Sequence, residues 1–203
     1  MKYIFMVGAP GSKWSSVSKN IYFSPSIDRT DATNEREYYH DAPGTMHLGA
    51  YFDPGMEFGN FFDKLSEYTK ADCEQEFDRP FTGIGVRIIK SHVFANHIDY
   101  IKDTWPDCPV ILVHRDNDAC LGWWVRSGHF NITYPKYNKY YVDLKRMAFL
   151  IDQQNAGIVT AGKKYNGSFP SNNQDLAKVL KIELPPTEYF QDYKKSDIGI
   201  KVI

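Results

Sequence analysis

Three short apolar runs, each ending at a turn and followed by a helical pattern, constrain the fold of this chain most strongly. The runs cover residues 3–7, 86–90 and 109–114. The third is continuously apolar, as in strands of parallel sheets that are buried on both faces. Strand, loop and helix repeated three times predict an α/β fold, a three-layer, doubly wound and mostly parallel sheet flanked by helices. Ligands of such sheets bind at the carboxyl ends of the strands.

Helical periodicity fills much of the remaining chain. Apolar residues recur at helical spacing over residues 57–70, 94–105, 116–126, 139–155 and 172–181, and a hydroxyl-rich turn begins a helix over 12–19. Residues 21–55 differ, because they contain three prolines and a cluster of aromatic and histidine residues between Tyr38 and Phe52. This segment is either a binding loop or a surface loop whose aromatic side chains pack together. We expect one domain over residues 1–203 with an irregular, substrate-side insertion at about 21–55.

Composition narrows the partners and the compartment. With 24 basic and 25 acidic residues, the net charge is -1, so no overall field favours nucleic acid or an anionic membrane. No apolar run reaches the roughly 18 residues that a membrane span needs, and the amino terminus lacks a signal-peptide pattern. The three cysteines have neither the spacing of a zinc site nor the density of a disulfide scaffold. We expect a cytoplasmic protein without nucleic-acid, membrane or metal partners, and the oligomeric state is not predicted.

The first strand ends in Gly-Ala-Pro-Gly-Ser-Lys-Trp-Ser-Ser over residues 8–16. Glycines let backbone N–H groups surround an anion, the next helix adds the positive end of its dipole, and Lys13 and the serines add donors. The segment predicts a phosphate-binding loop, although its composition also fits a plain connection. It departs from the Walker A pattern of nucleoside triphosphate enzymes, because Lys13 follows Ser12 and precedes Trp14.

The other two strand ends carry basic residues. Lys90 and His92 lie two positions apart, so on an extended chain their side chains point the same way. His92 is suited to act as a general base and Lys90 to stabilise charge, although such a pair also fits a solvated surface. Arg115 directly follows the third strand, where its planar guanidinium is well placed to bind a phosphate.

Together and in this order, the three strand ends resemble the PAPS-dependent sulfotransferases, where PAPS is 3'-phosphoadenosine 5'-phosphosulfate. Residues 10–16 are similar to the family's 5'-phosphosulfate loop, and Lys90-Ser-His92 is similar to its Lys-Thr-His segment. Residues 108–124 are similar to its 3'-phosphate segment, in which Arg115 stands at the arginine and Gly122 at the serine. The resemblance covers roughly residues 2–19 and 86–126.

This resemblance implies a P-loop NTPase-like fold and transfer of a sulfuryl group from PAPS to a hydroxyl or amine of a small-molecule or carbohydrate acceptor. His92 takes the acceptor proton, while Lys90 and Lys13 offset charge on the product PAP (3',5'-diphosphoadenosine). No metal is required. The residues implied to bind the cofactor are Pro10, Gly11, Ser12, Lys13, Trp14, Ser15, Ser16, Arg115 and Gly122.

Two departures from the family pattern leave alternatives open. Gly11 stands at the usual loop lysine and Gly122 at the usual serine, so Lys13 is expected to supply the missing cation from a shifted position. A non-catalytic, sulfotransferase-like nucleotide-binding protein is therefore one alternative. An ATP-dependent small-molecule P-loop kinase is another, but it needs a hydroxyl after the loop lysine and a strand-end Asp for Mg²⁺. The acceptor cannot be predicted, because one fold serves many substrates.

Overall fold

The computed structural model of the chain describes residues 1–32, 38–39, 46–126, 140–187 and 197–203. These residues form six strands: β1 (Tyr3–Gly8), β2 (Tyr38–Tyr39), β3 (Met46–His47), β4 (Arg87–Lys90), β5 (Val110–Arg115) and β6 (Ile198–Val202). Four strands form one sheet in the order β4-β1-β5-β6, while β2 and β3 form a separate antiparallel pair. Strand β1 is parallel to β4 and β5, and β6 is antiparallel to β5. The predicted α/β fold with a mostly parallel sheet is confirmed.

Helices flank this sheet, and polar residues cap several of them. The described α-helices are α1 (Trp14–Tyr22), α2 (Lys70–Asp78), α3 (Ile98–Thr104), α4 (Asn117–Arg126), α5 (Leu144–Lys164) and α6 (Asn173–Leu180). Short 3₁₀ helices cover Phe62–Glu67 and Val93–Asn96. Asp143 and Asn172 begin α5 and α6, because their side chains accept hydrogen bonds from first-turn N–H groups. No helix in the described ranges combines the length and apolarity needed to cross a bilayer.

The helix predicted over residues 57–70 is wrong. Gly59 has a φ of 73° and turns the chain, a 3₁₀ helix follows, and α2 begins only at Lys70. Thr69 and Asp72 exchange hydrogen bonds in a capping box that fixes this start. The apolar spacing that predicted a helix instead places Phe62 and Leu65 in the core. Strand β6 was not predicted either, since its pairing with β5 joins distant parts of the chain.

Two hydrophobic clusters hold β1 in the centre of the sheet. Ile4 and Met6 belong to one cluster, whereas Phe5 and Val7 belong to the other. Because successive side chains of a strand point to opposite faces, the sheet has a core on each face. Each such buried side chain contributes about 1.5–3 kcal/mol. This packing fixes β1 between β4 and β5 and brings the carboxyl ends of the three parallel strands side by side.

Candidate functional site

The loop after β1 has a backbone that tolerates few residue types. Gly11 and Lys13 both adopt left-handed conformations, with φ values of 79° and 62°. A Cβ atom at Gly11 would lie 2.0 Å from the carbonyl oxygen of Cys120 in α4, so only glycine fits there. The left-handed conformation costs Lys13 about 1–2 kcal/mol. Lys13 is also the N-cap of α1, where the helix dipole disfavours a cation. The unfavourable backbone conformation and the unfavourable charge both fall on Lys13, which points to a functional constraint.

Three cations gather around this loop. Burial and the charge of Arg115, followed by that of Arg126, lower the pKa of Lys13, while Asp197 acts in the opposite direction. The Lys13 Nζ lies 4.7 Å from the centroid of the Trp123 ring, and the guanidinium carbon of Arg126 lies 5.9 Å from the same centroid. The positive charges of Arg115 and Arg126 disfavour the charged form of Lys13, and a bound anion offsets this effect.

Arg115 points from the end of β5 into the loop. Its side chain is nearly buried, with 6 % of the residue exposed, and Nη1 donates to the Gly11 carbonyl oxygen at 3.0 Å. Its buried Nε has no hydrogen-bond partner among the described residues. From α5, Asn155 Nδ2 donates to the Arg115 carbonyl oxygen at 2.8 Å and fixes the backbone there. An unpaired, buried guanidinium N–H is costly, so this group is a candidate donor to a ligand.

The serines of the loop differ in their surroundings. Ser12 is fully buried, and its Oγ has no partner in the described part of the chain. Ser15 Oγ lies 3.5 Å from the hydroxyl of Tyr51, and the backbone N–H of Ser16 donates to the Lys13 carbonyl. Pro10 is buried. Ser12 therefore joins Arg115 as a second buried group with an unused donor beside the loop.

Gly122 lies on the exposed surface of α4, one turn before Arg126. A Cβ atom there would meet no atom within 4 Å. The Gly122 carbonyl accepts a hydrogen bond from Arg126 Nε at 3.2 Å. The position thus has room for the serine side chain that the family pattern carries.

His92 is buried beside the loop, with 5 % of its surface exposed. Its ring stacks on Trp14 at a centroid distance of 4.0 Å, and Nδ1 is hydrogen-bonded to the Gly8 carbonyl oxygen. A carbonyl oxygen has no proton to give, so Nδ1 carries the hydrogen and Nε2 has the lone pair. Burial lowers the pKa of His92, although Asp53 acts against this. Burial of His92 therefore favours the neutral imidazole.

Lys90 binds the insertion to the sheet. Its Nζ donates to the Leu48 carbonyl oxygen and lies 4.9 Å from the centroid of the Tyr51 ring, while its own carbonyl accepts from Phe52 N–H at 3.0 Å. Burial lowers the pKa of Lys90 to about 8, and the charges of Asp31 and Glu57 oppose this. The structure thus ties Lys90 to residues 48–52.

Lys90 and His92 do not face the same way through the alternation of side chains along an extended strand, as the sequence predicted. Strand β4 ends at Lys90, and His92 already has helical dihedral angles, with φ -68° and ψ -40°. The ring of Tyr51 lies next to both, at a centroid distance of 6.2 Å from the His92 ring. Trp14 completes this group, because its Nε1 donates to the Tyr51 hydroxyl at 2.6 Å.

Tyr51 belongs to the aromatic cluster that the sequence singled out as a binding or packing loop, but sequence reasoning missed three residues of this region: Asp53, Arg126 and Asn155. Asp53 is fully buried, and its Oδ1 accepts from Ser91 Oγ and His92 N–H, both at 2.8 Å. Their positions in the chain were the only indication in the sequence: Arg126 lies one helical turn after Gly122, and Asp53 lies in the insertion over residues 21–55. The side chains of Tyr38, Tyr39, His40 and His47, from the same insertion, lie outside the described residues.

A separate cleft of about 720 Å³ lies between the two 3₁₀ helices, α3 and α5. Asp63, His97, Asp99 and Lys164 are among its lining residues, and none of the residues predicted for the nucleotide site belongs to it. Within the described ranges, no three His, Cys, Asp or Glu side chains gather as metal ligands.

Comparison with protein-family models, with curated proteins and with solved structures gives no match. What the chain offers is a strained, cation-rich loop at the end of β1 and a buried histidine on the adjoining strand end. Such an arrangement can bind an anion and accept a proton next to it.

Proposed function

We propose that this protein is a PAPS-dependent sulfotransferase. The observation that carries the proposal is the set of three cations at the left-handed loop after β1: Arg115 donates to the Gly11 carbonyl, and Lys13 and Arg126 both lie against Trp123. A nucleotide with phosphate groups at both its 3' and 5' positions matches so many cations better than a singly charged ligand does. His92 lies beside this site, because its ring is hydrogen-bonded to the carbonyl of Gly8, the last residue of β1 before the loop.

The residues present fit the two phosphate ends of PAPS. In this proposal Lys13, at the start of α1, binds the 5'-phosphosulfate together with Ser12 and the helix dipole. Arg115 has a buried Nε still unpaired among the described residues, and it fits the 3'-phosphate. Arg126 lies one turn from Gly122 and brings a second cation to the position where the family has its serine.

The chemistry then divides between the cations and the histidine. PAPS supplies an activated sulfuryl group. His92 Nε2 accepts a proton from the acceptor, since Nδ1 already holds a hydrogen on the Gly8 carbonyl. Lys13 and Arg115 stabilise the negative charge that grows on the phosphate side. Lys90 acts indirectly, as a positioning residue. Its ammonium group donates to the Leu48 carbonyl and lies over the ring of Tyr51, which it keeps next to the site.

The proposal extends to the whole chain. Core clusters on both faces of the sheet support a three-layer, P-loop NTPase-like arrangement within one domain of residues 1–203. The acceptor is a small molecule or carbohydrate, and the site needs no metal. The proposed location is the cytoplasm, where all three cysteines, which are free and buried, stay reduced.

One observation favours a second candidate, a sulfotransferase-like protein that binds the nucleotide without catalysis. His92 is 5 % exposed and lies under Trp14, so the base is covered. A catalytic protein has to uncover this ring when the acceptor binds, whereas a binding protein has no such need. Transfer of labelled sulfate from PAPS to any acceptor in a screen separates the two candidates.

The experiment that tests the catalytic proposal compares wild type with His92→Ala. We expect the substitution to abolish transfer while PAP still raises the melting temperature, because His92 accepts the proton but does not bind phosphate. His92→Gln is the matched control for size and keeps a polar side chain under Trp14. Unchanged turnover in both variants excludes His92 from the mechanism. Stabilisation by ATP and Mg²⁺ but not by PAP favours the kinase alternative.

A further inference from the structure

Asp53 uses only one of its two carboxylate oxygens. Oδ1 accepts hydrogen bonds from Ser91 Oγ and His92 N–H at 2.8 Å, and from Val93 N–H at 3.4 Å. Oδ2 is buried, has no hydrogen-bond partner among the described residues, and lies 3.9 Å from His92 Nε2. A buried carboxylate oxygen without a partner costs about 1–3 kcal/mol or more, so the second oxygen lacks a group that completes it.

His92 faces this oxygen with a second unsatisfied acceptor. The Gly8 carbonyl fixes the hydrogen on Nδ1, which leaves the lone pair on Nε2. Neither atom carries a hydrogen, and at 3.9 Å they are also beyond the length of a direct hydrogen bond. One donor atom placed about 2.9 Å from each reaches both. A single donor atom that carries at least two hydrogens therefore satisfies both acceptors.

The carboxylate of Asp53 favours a cation next to it. Burial raises the pKa of Asp53, and no lysine or arginine in the described part of the chain forms an ion pair with it. An ammonium ion next to Asp53 supplies the missing positive charge and stabilises the ionised carboxylate.

We infer that the acceptor is a primary amine, whose nitrogen binds as an ammonium ion between His92 Nε2 and Asp53 Oδ2. A hydroxyl has one hydrogen and leaves one of the two acceptors unpaired, whereas an ammonium group satisfies both. This inference rests on the proposed function, because it names the acceptor class for that site.

The proton balance of the reaction fits the same pair. Sulfation of an alcohol releases one proton, but sulfation of an ammonium ion releases two. His92 Nε2 takes the first proton and leaves a neutral nitrogen. That nitrogen forms the N–S bond while the bond between sulfur and the bridging phosphate oxygen breaks, and the electron pair goes to PAP. Asp53 Oδ2 takes the second proton from nitrogen, and the products are a sulfamate and PAP.

The test uses acceptors that differ only in this group: glucosamine with glucose, and benzylamine with benzyl alcohol. PAP release from PAPS is measured for the full chain with each acceptor. We expect the amine of at least one pair to be used about tenfold or more faster than its alcohol, in kcat/KM, because the alcohol leaves a buried acceptor unpaired. The variant Asp53→Asn keeps Oδ1 for its three donors and replaces only the second proton acceptor.

Two variants separate a chemical role of Asp53 from a structural one. In Asp53→Asn we expect the preference for the amine to disappear while PAP affinity stays as in wild type. Ser91→Ala is the matched control, because it removes a hydrogen bond to Oδ1 without touching Oδ2, and we expect it to retain the preference. Equal loss for amine and alcohol in Asp53→Asn means that Asp53 only holds the backbone, and it overturns the inference.

The remaining outcomes also decide the question. Equal or faster use of the alcohols overturns the inference and leaves the sulfotransferase proposal intact. An unchanged His92 ¹⁵N spectrum when glucosamine or benzylamine is added with PAP also overturns the inference. It means that a resident water, and no amine, bridges His92 Nε2 and Asp53. Absence of PAP binding, by contrast, removes the proposed function itself, and the amine inference with it.

Discussion

Lys13 allows the charge and the backbone of the loop to be tested separately. Lys13→Ala and Lys13→Gly both remove the cation and its contact with Trp123. They differ because alanine keeps a Cβ atom at a φ of 62°. The left-handed conformation costs a residue with a Cβ about 1–2 kcal/mol. Glycine loses about 0.5–1 kcal/mol through the entropy of its unfolded chain. We therefore expect Lys13→Gly to be more stable than Lys13→Ala by roughly 0.5–1 kcal/mol.

The assay combines thermal unfolding with PAP titration of the two variants. For a chain of 203 residues, the stability difference corresponds to a melting temperature about 1–4 °C higher for Lys13→Gly. PAP affinity should fall by the same factor in both, about tenfold to a hundredfold, because each loses one charged donor to phosphate. A melting temperature for Lys13→Ala equal to or above that of Lys13→Gly refutes the left-handed backbone. Wild-type PAP affinity in either variant refutes the role of the cation.

Three further predictions concern the loop, helix α4 and the pH dependence of stability. Gly11→Ala should weaken PAP binding and lower the melting temperature, because its Cβ collides with the Cys120 backbone; wild-type binding in this variant contradicts a rigid loop. Gly122→Ser should bind PAP about tenfold more tightly than Gly122→Ala in calorimetry, because only serine adds a hydroxyl to the 3'-phosphate; equal affinities place Gly122 outside the site. Although burial acts to raise it, hydrogen bonds from Lys2, Tyr3 and Arg87 lower the pKa of Asp78. A carboxyl whose pKa is lower in the folded state stabilises the protein at pH values above its unfolded-state pKa of about 3.9. This stabilisation is lost as the pH falls through the folded-state pKa. Between about pH 5 and pH 2, wild type should therefore lose more stability than Asp78→Asn in denaturant titrations, and parallel curves contradict this.

The parallel part of the sheet could be predicted because its signal is local. Strands β1 and β5 are continuous apolar runs that stop at a glycine-rich turn and at Arg115. Strand β6 escaped prediction, since its assignment depends on antiparallel pairing with β5, more than 80 residues away in the chain. The helix over 57–70 failed for a related reason. Its aromatic spacing is set by burial in the core, while Gly59 and the Thr69 cap decide where helices form.

Residues of the candidate site that lie at strand ends could be predicted from the sequence. Residues that reach the site from distant parts of the chain could not. Arg115 follows a predicted strand directly, and Lys13 and His92 lie in the turns after the other two. Asp53 and Asn155 reach the site over sequence separations of 39 and 40 residues, and no local pattern marks either of them. The left-handed backbone of Lys13 also had no signal, because lysine rarely adopts it.

The central claim is that Lys13, Arg115 and Arg126 bind a nucleotide through two separate phosphate groups. Calorimetric titration with PAP, and with 5'-AMP as the ligand that lacks the 3'-phosphate, tests this claim most directly. We expect PAP to bind at one site per chain, and about tenfold or more tightly than 5'-AMP, because Arg115 and Arg126 lose their phosphate in the second ligand. No binding of PAP, or equal affinity for the two nucleotides, contradicts the account.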